Sequence, residues 1–292
     1  MASEYLHPKS VEEAISLCQR YRERAKYIAG GTDLMVRIKD RQIRPQYLIS
    51  LKKIPGIDKI QYTDGQLKIG ALVTHRQLEL SPIIRKHFPI LYDAVENIGS
   101  VQIRNVATIG GNIANAAPSA DGAIPLITLG AVAHILGPKG RREMPLEEIF
   151  IGPGQTLLEH GDILCGFTIP KLRPNTGGAY LKHMRRAAME LPILGVAVLI
   201  SLGEDLETCV DARIGLGVLA PTPMRARNAE AVLRGKKVND AILEKAGKTA
   251  ANESKPRDSF RGEAWYRKEM VEVLIQRVGK ISIERAKQIS SV

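Results

Sequence analysis

The chain is poor in the residues that staple or ligate. Its 292 residues include 3 cysteines, Cys18, Cys165 and Cys209, too far apart for a disulfide framework and matching no metal-ligand spacing. The 6 histidines are scattered as well, and no CxxC, CxxH or HxxxH occurs. These absences exclude a structural zinc or an iron–sulfur cluster held by this chain. Each cysteine is expected to be a small buried apolar residue. Aromatics make up 4% of the chain, too few for the stacking platforms that single-stranded nucleic acid needs. Long apolar runs are missing too. The longest, Leu191 to Leu202, falls well short of the roughly 20 residues of a membrane-spanning helix. The opening residues, Met1 to Pro8, lack the basic and apolar regions of a signal peptide. A soluble, cytoplasmic protein with no membrane span is expected.

What is present describes a globular chain, 44% hydrophobic and 25% charged. Its net charge is +11, which raises the question of an anionic ligand or partner. The basic residues stay in isolated pairs, such as Arg141-Arg142, Arg185-Arg186 and Lys236-Lys237. They form no run and do not interleave with aromatics, so the excess reads as a solvated surface and not as a nucleic-acid site.

Three units are expected, at 1–57, 58–176 and 177–292. In the first, Ser10 and Glu13 form a capping box for a helix carrying Val11, Ile15, Cys18 and Tyr21 on one face. A strand over 26–29 and another near 47–51 complete a small βα module. In the second, Asp64-Gly65 joins two strands as a tight hairpin. Thr74 and Gln77 form another capping box, for a helix that stops at Ser81-Pro82, and a further helix is expected over 91–99. The stretch Val106 to Asp121 reads as neither helix nor simple strand. A short helix (124–129) and a strand (131–136) follow. Pro170, Pro174, Gly177 and Gly178 punctuate the main boundary. Beyond it come strands near 179–185, 193–201 and 208–216, then helices near 229–234, 240–252 and 263–278. Strands grouped before helices indicate an α+β unit.

Two glycine loops carry the chemistry. They are Ala29-Gly30-Gly31-Thr32-Asp33-Leu34 and Thr108-Ile109-Gly110-Gly111-Asn112. A diphosphate requires several backbone N–H groups converging without side chains in the way, which paired glycines permit. Thr32 and Thr108 add hydroxyls, and Asn112 adds an amide. Asp33 is expected to turn away from a phosphate, either capping backbone N–H groups or reaching a sugar hydroxyl. Asp121 reads equally as a partner for a ribose or ribityl hydroxyl and as the N-cap of the helix beginning near Ile124. Gly215-Leu216-Gly217-Val218-Leu219-Ala220 matches the spacing of a dinucleotide fingerprint. The proline pair Pro221 and Pro223 denies it the helix that the fingerprint needs. No nucleophile–base pair, zinc motif or P-loop lysine is present. A chain that binds a diphosphate cofactor without an acid/base set leaves the chemistry to the cofactor.

These residues resemble the FAD-binding medium subunit of the molybdenum hydroxylases, the family of carbon monoxide dehydrogenase and xanthine dehydrogenase. The resemblance rests on residues 29–34, on Thr108 to Asp121, on Lys182 through Leu191, on Leu219 to Arg225 and on Phe260 to Arg267, in family order along essentially the whole chain. It implies an α+β protein. Two small α/β subdomains of the PCMH/VAO flavin type would grip FAD, followed by a C-terminal domain of the carbon monoxide dehydrogenase flavoprotein type. It also implies that residues 29–34 and 108–112 hold the diphosphate and Asp121 a sugar hydroxyl. Ile98 and Leu191 would pack near the flavin, with Lys182 opening the loop that carries Leu191. Some relatives have an aromatic residue at the Leu191 position. The implied activity is electron relay within a dimer of heterotrimers. A large subunit with the molybdenum cofactor and a small subunit with two 2Fe–2S clusters would be the partners. The aromatic-CoA reductase branch inserts a cysteine-bearing loop in this subunit. Here the segment between Asp121 and Gly152 is short and has no cysteine, which disfavours that branch. The alternatives are a stand-alone FAD-dependent oxidoreductase of the same superfamily, for which no acid/base residue is found, and a non-enzymatic basic binding module.

Overall fold

The computed structural model describes residues 3–289. Its first unit alternates strand and helix: β1 (Glu4–Leu6), α1 (Val11–Tyr21), β2 (Ala25–Ile28), α2 (Leu34–Lys39) and β3 (Tyr47–Ser50). The strands form a parallel sheet in the order β1-β3-β2. Val11, Ala14, Ile15 and Cys18 of α1 are buried against Ala25, Ile49 and Leu51. Ser10 Oγ accepts from Glu13 N (3.1 Å). The Glu13 carboxylate accepts from Lys9 N (2.7 Å), one residue before the cap, so the expected reciprocal box is displaced by one position.

The second unit is built around an antiparallel sheet of β4 (Ile60–Thr63), β5 (Gln66–Gly70), β6 (Val132–Gly137), β7 (Gly140–Pro145) and the later Ile163–Ile169 strand, with a small hairpin of β8 (Phe150–Gly152) and β9 (Gln155–Thr156) beside it. Asp64 (φ 52°) and Gly65 (φ 81°) both take left-handed angles, the requirement of a type I′ hairpin turn. The Ile163–Ile169 strand, β10, is central, between β5 and β6. A register shift between Leu164 and Gly166 breaks its period-two alternation, which is why the sequence reading has no strand there. Six helices lie between β5 and β6: α3 (His75–Leu80), α4 (Pro82–His87), α5 (Pro89–Val95), α6 (Val101–Val106), α7 (Ile109–Asn115) and α8 (Ala123–Thr128). Thr74 and Gln77 form the complete capping box. Ser81 does more than end α3, because its hydroxyl caps α4 at Ile84 N (3.4 Å). The helix expected at 91–99 begins and ends earlier, as α5. The second glycine loop follows a helix, α6, and its glycines lie in the first turn of α7.

The third unit has β11 (Thr176–His183), β12 (Leu194–Leu202), β13 (Cys209–Gly217) and β14 (Met224–Arg225) in that spatial order, followed by α9 (Arg227–Leu233), α10 (Asp240–Glu253) and α11 (Ala264–Ile289). Every residue of β12 is buried, as a central strand covered on both faces demands. Val196, Val198 and Ile200 face the core with Val271, Leu274 and Val278 of α11. Ala197 and Leu199 join the core of the second unit. Gly177 and Gly178 lie inside β11 and not in a linker. A Cβ on Gly177 would collide with the α11 backbone at Ser282 and Ala286. The glycines of 215–217 are likewise packing residues, closed off by Thr128 and Ile124 of α8, and the next helix starts only at Arg227. Arg285 on α11 reaches Asp93 on α5 (Nη1–Oδ2, 2.6 Å). No helix among the described residues is long and apolar enough to cross a membrane.

Candidate functional site

A cavity of about 560 Å³ opens where the three units meet, within the roughly 300–1,000 Å³ range of small-molecule sites. The first unit contributes the turn after β2, Ala29 to Asp33, and the start of α2 at Leu34. The second contributes Ile98, Thr108, Gly110, Gly111, Asn112 and Asp121, and the third contributes Lys182 and Leu191. Ile109 stands outside. It is fully buried in the core of the second unit, because a helix turn that shows Gly110 and Gly111 to the cavity directs its neighbour inward.

The two glycine loops differ in what their backbones offer. The amides of Gly30, Gly31, Thr32 and Asp33 have no hydrogen-bond partner among the described residues. Gly30 must be glycine because a Cβ would collide with the Val106 carbonyl, and Gly31 takes φ +78°. Along the second loop the amides are occupied. Ile109 N donates to Val73 O (2.9 Å), Gly110 N to Ala71 O (2.9 Å) and Asn112 N to Thr108 O (2.9 Å). Gly111 N donates to Thr108 Oγ1 (3.1 Å). The expected nest of open N–H groups is therefore absent at 109–112. Thr108 is a helix cap, and its oxygen is already used. What this loop presents is a bare face. A Cβ on Gly110 would press on Ala71 O at 2.6 Å, but on Gly111 it meets only Thr108 Oγ1, at 2.9 Å. Asn112 Oδ1 is buried without a partner.

Asp33 does turn aside, but it caps no backbone group. It accepts from the Thr32 hydroxyl (3.4 Å) and from Asn115 Nδ2 (3.2 Å), tying the first loop to α7. Asp121 is not a helix cap either, since Gly122 holds that position without a side-chain bond. Its carboxylate is buried and accepts from Tyr180 Oη (2.6 Å) and Lys182 Nζ (2.9 Å). Burial pushes the Asp121 carboxyl above its ordinary value, against the opposing pull of Lys182 and the Tyr180 hydroxyl. Lys182 Nζ also donates to Asn97 O (2.9 Å), so one buried cation joins the second and third units at the cavity wall. The neighbouring Ile98 is fixed from below, where Arg104 Nη1 donates to its carbonyl (3.0 Å). Arg104 in turn makes a two-pronged pair with Glu79, at 2.8 and 3.2 Å.

Leu191 is half exposed at the cavity edge. Its loop is shaped by Glu190, whose carboxylate accepts from the amides of Arg185 (2.8 Å) and Arg186 (2.7 Å). Met189 N also donates to Gly99 O (3.3 Å), closing the loop onto the Ile98 segment. Sequence reasoning misses His75, Gly99, Ile103 and Asp162, which also line the cavity. The one signal for His75 was its place just after the capping Thr74, which fixes a helix start but no side-chain direction. His75 is almost fully buried, with Nδ1 unpartnered. Burial, helped by the Arg104 charge, lowers its pKa to about 4.

The donors and the space fit a flavin dinucleotide. Open amides face one side, a bare glycine face lies on the other, and a buried carboxylate sits at the far wall. The comparisons agree. Residues 1–172 match the model of the FAD binding domain in molybdopterin dehydrogenase, and residues 179–280 that of the CO dehydrogenase flavoprotein C-terminal domain. The chain is 34% identical to the xanthine dehydrogenase FAD-binding subunit of Escherichia coli O157:H7 over 256 residues, 87% of each chain. It is 33% identical to the carbon monoxide dehydrogenase medium chain of Hydrogenophaga pseudoflava over 276 residues, 94% of each. A solved carbon monoxide dehydrogenase from that organism, lacking the Mo-pyranopterin moiety of its cofactor, superposes with a TM-score of 0.93 at 33% identity, covering 98% of both chains. An α+β flavoprotein with this cavity and these relatives belongs to the FAD-binding medium subunits of the molybdenum hydroxylases, of the carbon monoxide dehydrogenase and xanthine dehydrogenase type.

Proposed function

We propose that this subunit relays electrons from a small subunit with two 2Fe–2S clusters to an external acceptor, while a large subunit with the molybdenum cofactor oxidises the substrate. FAD, when bound, supplies the conversion between single-electron and two-electron transfer. The chain's own residues bind and orient it. The open amides of Gly30 to Asp33 are the donors for its diphosphate, with Ala29 and Leu34 bounding the turn. Thr108, Gly110, Gly111 and Asn112 provide the opposing surface, and Ile109 anchors that surface in the core. Asp121, held by Lys182 and Tyr180, keeps unused lone pairs for a sugar hydroxyl, and Ile98 and Leu191 pack beside the ring system.

One observation carries the relay reading: the carboxylates that line the cavity are already committed. Asp121 is bonded to Lys182 and Tyr180, Asp33 to Asn115 and Thr32, and Asp162 to Arg142 (2.5 Å). Glu190 is bonded to its own loop. His75, with a pKa near 4, is too weak a base for proton abstraction at neutral pH. Such a site positions a cofactor and excludes water without supplying acid–base chemistry, which disfavours a stand-alone oxidoreductase. The division into 1–57, 58–176 and 177–292, the dimer of heterotrimers and a cytoplasmic location belong to the same proposal. The location is supported by three free thiols. The test is purification of the complex from its native source with cofactor analysis. Three subunit types, one FAD per copy of this chain, molybdenum and iron are expected. A chain that purifies alone and turns over a substrate with its own FAD would overturn the relay.

A further inference from the structure

The sequence keeps its basic residues apart, but the parallel topology gathers several of them at one end of the first unit. Its two helix-to-strand connections, 22–24 between α1 and β2 and 40–46 between α2 and β3, lie where the strands begin. Gln46 N donates to Arg24 O (2.8 Å) and joins them. The glycine turn at 29–34 follows β2, so the cofactor cavity lies at the opposite end of that strand. Arg20, Arg22, Arg24, Lys39, Arg41 and Arg44 are all exposed, and none forms an ion pair among the described residues. Three acids share this end: Glu4, Glu23 and Asp40. Glu23 turns to His160 Nδ1 (3.8 Å), and the other two pair with none of the six cations.

Two of the arginines hold backbone conformations that suit glycine. Arg22, the C-cap of α1, takes φ 48° and ψ −132°, and Arg41, just past α2, takes φ 59°. Glycine makes such turns without steric cost, so arginine there sacrifices stability that a role for its side chain would offset. Arg20 and Lys39 complement the dipoles of the last helical turns. Arg24 and Arg44 lie beyond the helix ends and have no such task. Tyr21 and Tyr47 stack across the two connections, with centroids 3.9 Å apart. Arg20 lies 5.4 Å from the Tyr21 centroid and Arg24 6.0 Å from that of Tyr47. The rings thus restrain a guanidinium on each side of the stack.

We propose that this end of the first unit docks a partner protein through a carboxylate-rich segment, with Arg20, Arg22, Arg24, Arg41 and Arg44 as donors. Arginine forks match carboxylates in geometry and charge, and Tyr and Arg are enriched among the residues that dominate protein interfaces. The stacking already uses the ring faces that a nucleic-acid base would need. No large apolar side chain of residues 20–26 or 39–47 is exposed to enter a lipid layer. A second copy of the chain, with its net charge of +11, is a poor complement.

The test titrates the full chain with three probes: a peptide of alternating glutamate and glycine, a single-stranded RNA of equal charge, and phosphatidylglycerol vesicles. The peptide is expected to bind with Kd below about 1 mM, more weakly as salt rises. Arg22→Gly/Arg41→Gly removes two charges and relieves both turns. It is expected to weaken the peptide about tenfold while the melting temperature stays level or rises. Lys245→Gln/Lys268→Gln removes the same charge from exposed positions of the third unit and is expected to leave the affinity within about twofold, because charges that distant are screened. Equal weakening in both double variants means diffuse attraction and overturns the proposal. So does a peptide that does not bind, or tighter binding of the RNA or the vesicles. Arg24→Gln/Arg44→Gln leaves both left-handed turns untouched and decides the matter where glycine at 22 and 41 lowers the melting temperature. Unchanged peptide affinity in that variant is equally fatal.

Discussion

In the loop at 29–34 the amides of Gly30 through Asp33 have no partner among the described residues, whereas at 108–112 every amide from Ile109 to Asn112 is bonded inside the protein. The same Gly-Gly pair therefore serves two purposes. At the first loop it lets a turn approach the Val106 backbone while its N–H groups stay available. At the second it lets a short capped helix lie against Ala71 and show a face without side chains. A double glycine announces close approach by something. Whether that something is a ligand's oxygen or the protein's own backbone depends on where the donors go.

That contrast can be broken by substitution, and the largest effect is expected at Gly30. A side chain there must displace the Val106 carbonyl. Gly30→Val is predicted to lose stoichiometric flavin and about 3 kcal/mol or more of stability, read by flavin absorbance and urea unfolding. Retained flavin would show that the first loop is not the diphosphate site. The next effect concerns His75, which backs the second loop through its amide bond to Ala107 O (3.0 Å). Its folded pKa, about 4, lies below the unfolded value of about 6.5. The unfolded chain therefore binds the extra proton between those values. Stability is fully present above pH 6.5 and falls as pH drops toward 4, by up to about 3 kcal/mol. Urea midpoints at pH 7 and 5 in wild type and His75→Gln check this, and an equal fall in both would remove His75 as the cause.

Smaller effects separate scaffold from surface within the second loop. Thr108→Ala removes the α7 cap and is expected to cost about 1 kcal/mol, seen in the melting temperature. Gly111→Ala should change stability by less than about 1 kcal/mol, because the gain in helix propensity offsets crowding of the cap. If its bare face meets the cofactor, FAD affinity should still fall about tenfold, equivalent to about 1.4 kcal/mol. Unchanged affinity would reduce the second loop to a packing element.

The legible parts of the fold were those set by local chemistry. The Asp64-Gly65 turn, the Thr74 box and the apolar run of β12 each follow from adjacent residues, and the cavity gathers every proposed site residue except Ile109. What escaped depended on distant partners. β10 was hidden by a bulge that spoils its alternation, and α7 by glycines that helix propensity penalises but that packing on Ala71 requires. Asp121 read equally as cap or ligand because its true partners, Tyr180 and Lys182, lie about sixty residues away in sequence. The basic end of the first unit was invisible for a similar reason: only the parallel topology brings its arginines together.

The clamp between Arg285 and Asp93 joins residues separated by 192 positions, and Asp93 also accepts from Tyr180 N (3.1 Å). The strand that carries Lys182 into the cofactor cavity is thus braced by nearly the last turn of the described chain. On the ribosome both glycine loops emerge early, and the brace emerges only after α11 has left the exit tunnel. Synthesis therefore delivers both lips of the cradle before the brace that steadies its wall, and any truncation within α11 that removes Arg285 leaves the glycine loops in place while freeing the strand that carries Lys182.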